Sequence, residues 1–128
     1  VPKTLDNRPP VADAATASTT DALYQIESPM ERAMELIGDK YSFLIVHILH
    51  QFEKQRFVEL EDQILGISPR TLSARLKHLE AYGLVHRHQY PTIPPRVEYT
   101  LTERGKDLAN TMNELIQWTN RWYAYQPR

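Results

Sequence analysis

The chain contains no cysteine, which removes disulfides, thiolate nucleophiles and any cysteine-based redox or metal chemistry. It also lacks an excess of charge of either sign. Fifteen Lys and Arg stand against sixteen Asp and Glu, a formal −1, so a uniformly basic, histone-like molecule is excluded while a local basic face is not. No apolar run approaches the roughly 18 residues that a membrane span requires. The richest stretch, residues 41–49, is broken by Ser42 and His47. With no membrane segment and no secretory signal pattern, the expected compartment is the cytoplasm. Glycine is scarce, four in 128 residues, and Gly38, Gly66 and Gly83 each interrupt a helical pattern. What is present, 41% hydrophobic and 24% charged residues, matches an ordinary globular protein with room for one hydrophobic core.

The expected organisation is a flexible arm over residues 1–27 and one domain over residues 28–126. Pro2, Pro9 and Pro10 and the small side chains of residues 12–20 offer little apolar surface to offset the entropy of ordering. Structure is expected to start at Ser28-Pro29-Met30-Glu31, where serine caps, proline takes the first helical position and glutamate completes a capping box. Met30, Ala33, Met34 and Ile37 follow at helical spacing up to Gly38-Asp39. A second helix over about Lys40 to Phe52 carries apolar groups over a wide arc, as the centre of a core requires. Phe57, Leu60, Ile64 and Leu65 suggest a short third helix ending at Gly66. Ser68-Pro69 then opens a fourth, with Leu72, Leu76 and Leu79 as its buried stripe and Gly83 as its terminator. Two short helices joined through a glycine-containing junction form a helix-turn-helix candidate.

From Leu84 the period changes. Residues 84–90, the tip Pro91-Thr92-Ile93-Pro94-Pro95 and the alternating Val97, Tyr99 and Leu101 predict a hairpin with a five-residue loop. Thr102 then caps a last helix. Its Leu108, Met112, Leu115, Trp118 and Trp122 exceed what a small domain consumes, which points to a partner. The fold class is therefore mainly α with a small β-hairpin.

Charge is concentrated where the helix-turn-helix falls. Between Arg70 and His88, Arg70, Arg75, Lys77 and Arg87 face a single acid, Glu80, a formal +3 with histidines neutral. On the fourth helix Arg70, Thr71, Ser73, Arg75 and Lys77 lie off the leucine stripe. Arginine forks pair with guanine edges or phosphates, lysine supplies a mobile positive charge, and hydroxyls bond either. Arg96, beside the hairpin tip, is placed to reach a DNA backbone or minor groove. For any single cation a solvated surface role is the more common one, and only their coincidence with the motif favours nucleic acid. His47 with His50, and His86 with His88, could each offer two nitrogen ligands, but no acidic cluster completes a metal site. HExxH, phosphate-loop and GxSxG patterns are absent, so no enzyme and no cofactor is expected.

The segments Ile37-Gly38-Asp39-Lys40-Tyr41, Arg56-Phe57-Val58-Glu59-Leu60, Ile67 to Glu80, Gly83-Leu84-Val85 and Pro94-Pro95-Arg96-Val97-Glu98-Tyr99 together resemble the HxlR-type winged helix-turn-helix regulators. The resemblance implies a homodimeric transcription regulator with additional N- and C-terminal dimerisation helices. It implies a recognition helix from Pro69 that enters the major groove, and a wing around residues 91–96. On that basis the DNA-binding candidates are Arg56, Arg70, Thr71, Ser73, Arg75, Lys77 and Arg96. The dimerisation candidates are Met30, Met34, Leu108, Met112, Leu115, Trp118 and Trp122. The expected partner is double-stranded DNA carrying a pseudo-palindromic operator, with repression preferred. The alternative is a winged-helix protein-interaction module without sequence-specific DNA binding. Two departures stand out: Tyr41 replaces the family's usual tryptophan, and the cysteine that many members carry near the first helix is missing, so a thiol switch does not transfer.

Overall fold

Every long helix begins where a side chain takes over a backbone amide that the helix itself leaves without a partner. The computed structural model describes residues 28–124 and 127; the arm expected over residues 1–27 lies outside them. Helix α1 (Pro29–Ile37) starts with the Glu31 N–H donating to Ser28 Oγ at 3.0 Å. Helix α2 (Lys40–Phe52) starts with the Ser42 N–H donating to Asp39 Oδ1 at 2.8 Å. After the two-residue strand β1 (Lys54–Gln55), helix α3 (Phe57–Gln63) is entered through Arg56, whose N–H donates to Glu59 Oε1 at 2.8 Å. Ser68 caps α4 (Pro69–Ala81), accepting from the Thr71 N–H at 3.1 Å, and Thr102 caps α5 (Glu103–Trp122), accepting from the Gly105 N–H at 3.0 Å.

Helix α4 ends as its sequence requires. Gly83 takes φ +75, a conformation open to glycine without steric cost. Its N–H donates to the Glu80 carbonyl at 3.0 Å and the Leu84 N–H donates to the Leu79 carbonyl at 2.9 Å, the paired bonds of a Schellman terminus. The chain is thereby turned into β2 (Val85–Tyr90), which pairs antiparallel with β3 (Arg96–Leu101) from Val85↔Leu101 to Tyr90↔Arg96. The loop of residues 91–95 closes the expected hairpin. Strand β1 adds to the other edge of β3 through Lys54↔Thr100 and Gln55↔Tyr99, giving the order β1-β3-β2.

Helix α2 lies at the centre and touches α1, α4, α5, β1 and β3. Its Ile45, Val46 and Leu49 are buried with Leu60 of α3, Leu72, Leu76 and Leu79 of α4, Leu84, and Tyr99 and Leu101 of the sheet. Leu65 departs from expectation. Helix α3 ends at Ile64, which turns to φ −106 and ψ 99, so Leu65 falls in the turn before Gly66 and is 95% exposed rather than continuing the buried stripe.

Polar contacts seat α4 on the α1–α2 junction. Arg75 Nη1 lies 3.6 Å from Asp39 Oδ2, His78 Nε2 donates to the Glu35 carbonyl at 2.9 Å, and the Tyr82 hydroxyl donates to Glu35 Oε1 at 3.3 Å. Burial and the adjacent Glu35 carboxylate push the Tyr82 phenol up, which keeps it the donor. Burial opposes the Asp39 charge, but hydrogen bonds from Ser42 and the Arg75 guanidinium outweigh it and hold the carboxyl below its usual range.

Two predictions follow from this packing. A Cβ at Gly105 would run into the Leu84 carbonyl oxygen, whereas one at Gly66 meets nothing and is opposed only by φ +83. In urea unfolding, Gly66→Ala is expected to cost about 1 kcal/mol and Gly105→Ala more, up to about 3 kcal/mol; equal costs would contradict the close approach. Because the Asp39 pKa is lowered on folding, its contribution is complete above the unfolded value of about 3.9 and is lost as pH falls through the folded one. Unfolding measured across pH should therefore show wild type more stable than Asp39→Asn above about pH 4, with the difference shrinking on acidification.

Candidate nucleic-acid interface

The leucine stripe fixes which side of α4 faces outward. With Leu72, Leu76 and Leu79 buried, a helix of 3.6 residues per turn turns Arg70, Ala74 and Lys77 to the opposite side and Ser73 to its flank. Arg70, Ala74 and Lys77 are exposed, and Ser73 is half-buried. Among the described residues, neither Arg70 nor Lys77 takes part in an ion pair. Their charges are therefore available to an external anion. Thr71 is half-buried and engaged locally, with the Ser68 hydroxyl donating to its Oγ1 at 3.0 Å.

The structure treats Arg75 differently from its neighbours. It sits beside the leucine stripe, not opposite it, and its bridge to Asp39 ties α4 to the start of α2. Sequence spacing grouped it with Arg70 and Lys77 because the partner lies 36 residues earlier, beyond the reach of local pattern.

The wing presents a second held cation. The Arg96 guanidinium stacks on the Tyr90 ring at 4.4 Å and its Nε lies 3.4 Å from Glu98 Oε1; Tyr90 also donates from its hydroxyl to Glu98 Oε2 at 3.5 Å. These contacts arise directly from the register, which sets Tyr90 opposite Arg96. Arg56 and Arg96, distant in sequence, border one cleft of about 210 Å³ together with Lys54, Glu59 and Glu98. Lys54 is the cation the sequence reading missed, since a two-residue strand leaves no alternation to detect.

The candidate dimerisation residues divide. Met30 is 68% exposed on α1 and Trp122 is 71% exposed on α5, and Met34, Leu115 and Trp118 are exposed as well. Met112, expected on that surface, is instead 3% exposed within the chain's own core, and Leu108 packs partly against it. The reason is that α5 has two apolar faces. Gly105, Ala109 and Met112 are buried, and Leu115, Trp118 and Trp122 lie on a face turned from them by about 100°.

Among the described residues there is no cluster of three or more His, Asp or Glu that could hold a metal ion. Nor is any helix there long and apolar enough to cross a membrane.

Comparison with known proteins places this architecture. A family model described as HxlR-like helix-turn-helix matches residues 36–127. An uncharacterized HTH-type transcriptional regulator of Halalkalibacterium halodurans is 42% identical over 92 residues, spanning 72% of this chain and 81% of that one. The reduced form of the transcriptional regulator YodB from Bacillus subtilis superposes with a TM-score of 0.66 at 36% identity, covering 77% of this chain and 96% of the other. The redox regulator HypR in its oxidized form gives a TM-score of 0.69 at 32% identity, over 79% and 100% of the respective chains. Family model, sequence relatives and solved folds agree with a helix-turn-helix whose second helix is seated on a buried leucine stripe beside a β-wing, and the chain belongs to the HxlR-like helix-turn-helix family of DNA-binding transcriptional regulators.

Proposed function

We propose that two copies of this chain bind a pseudo-palindromic operator in double-stranded DNA, each laying α4 in the major groove, and that occupancy represses a promoter by excluding polymerase. The observation that carries this reading is the outward face of α4, where Arg70 and Lys77 project without an ion-pair partner among the described residues. Arg70 and Ser73 are the base readers in this account, because the first turns of a recognition helix approach base edges most closely. Lys77, Arg56 and Arg96 meet phosphates, with Thr71 and the helix start adding hydroxyl and amide donors. Arg75 acts first as the anchor that sets the angle of α4 and second as a flanking positive charge.

Dimerisation supplies the symmetry. The exposed faces of α1, with Met30 and Met34, and of α5, with Leu115, Trp118 and Trp122, form apolar surface suited to a second copy. Joining two recognition helices about 34 to 36 Å apart would match successive major grooves and combine two weak half-site interactions into one strong one. A thiol-based signal is excluded by composition.

Selection of bound duplexes from a random pool at fixed salt tests the reading. A palindrome with half-site centres about one turn apart is expected, and failure to enrich any sequence from folded protein would favour a protein-interaction module instead. On the selected duplex, Arg70→Ala should lose about 1–3 kcal/mol and relax preference at one position per half-site. Lys77→Ala should weaken all duplexes alike and lower the salt slope. If Arg70→Ala weakens selected and scrambled duplexes equally, Arg70 is a phosphate contact.

A further inference from the structure

Where the end of α2, strands β1 and β3 and the start of α5 meet, the chain leaves a recess of about 570 Å³. That volume falls within the roughly 300–1,000 Å³ of small-molecule sites. Leu49 and Leu101, both buried, give it an apolar floor. Around them stand two lysines and one histidine, Lys54, Lys106 and His50, against a single carboxylate, Glu53. Among the described residues Lys54 has no ion-pair partner, and Lys106 holds only Glu103, at 3.2 Å in an exposed pair. An exposed pair of this kind is readily exchanged for another carboxylate.

A second observation singles out the same place. The chain leaves α2 through Glu53 at φ 61 and ψ −58, which makes it the one non-glycine residue with positive φ among those described. Backbone strain of this sort persists only where the surroundings impose it, and it concentrates at functional sites. Here it swings the chain sharply from α2 into β1, so that Lys54 pairs with Thr100 at the edge of the recess.

We propose that this recess binds a small organic carboxylate with an apolar body, and that its occupancy is felt at the wing. The body rests on Leu49 and Leu101 and the carboxylate lies with Lys54 and Lys106. Lys54 also borders the cleft of Arg56 and Arg96. Drawing its ammonium into the recess removes a cation from that cleft and loads the strand paired with β3. The site stands on its own geometry, whereas the coupling to DNA affinity rests on the reading proposed above.

Sodium benzoate is the probe, with neutral benzamide as its isosteric control, and amide NMR spectra of the full chain are the readout. Saturable shifts are expected around residues 49–55, 100–101 and 106–110 with benzoate and not with benzamide. Lys54→Gln and Lys106→Gln should each weaken benzoate at least tenfold while keeping the wild-type amide dispersion, and Glu53→Gln should strengthen it. No saturable shift by about 20 mM, equal response to benzamide, shifts confined to other surfaces, or affinity unchanged in both lysine variants overturns the site. Duplex affinity then separates the two claims. Benzoate at saturation should weaken wild-type binding and leave Lys54→Gln binding unchanged. An unaltered wild-type affinity overturns the coupling, and no duplex binding by the ligand-free chain overturns the DNA reading instead while the site stands.

Discussion

The rest of the structure depends on the burial of Leu72, Leu76 and Leu79 of α4 in the core centred on α2. Fully burying each such side chain stabilises by about 1.5–3 kcal/mol, and together they fix the rotation of α4 about its own axis. Once that rotation is set, the exposure of Arg70 and Lys77 follows without any further interaction. The core therefore orients the surface, and the helix presents charge outward because its leucines have a place inward.

Polar contacts refine what burial begins. Asp39 both caps α2 and receives Arg75, so the start of the central helix and the flank of α4 are tied through one carboxylate. Glu35 does the same for the end of α1, meeting His78 through its carbonyl and Tyr82 through its side chain. Helix α1 therefore carries exposed Met30 and Met34 and, at Glu35, the hydrogen bonds from His78 and Tyr82. In the wing, Arg96 stacked on Tyr90 and bridged to Glu98 has a restricted position, as Arg75 does on α4, while Arg70 and Lys77 of α4 take part in no ion pair among the described residues. The chain thus divides its positive charges into ones held by internal contacts and ones, Arg70 and Lys77, whose charge is left open to an external anion.

The sequence was informative wherever the determining interaction is local. Ser28-Pro29, Ser68-Pro69 and Thr102 announce helix starts because the cap bonds an amide three residues on, and Gly83 announces a helix end because few other residues take its φ easily. The hairpin was legible from alternation in β3 and the proline-rich tip. Strand β1 was not, because two residues carry no period and Lys54 and Gln55 belong to the sheet only through β3, more than 40 residues later. Met112 and Leu115 looked alike in sequence, and only the packing of α5 on the core separates a buried face from an exposed one. The partners of Arg75 and the recess beside Lys54 were invisible for the same reason, each being assembled from distant segments.

The most direct test of the central claim, that the outward face of α4 lies in the major groove, is methylation interference on a selected duplex. Methylation at guanine N7 blocks a major-groove acceptor, whereas methylation at adenine N3 blocks a minor-groove one. The account predicts that N7 methylation at one guanine in each half-site, with centres about one helical turn apart, abolishes binding by wild type and has no such effect on Arg70→Ala. Binding by wild type that tolerates N7 methylation throughout the site would contradict it.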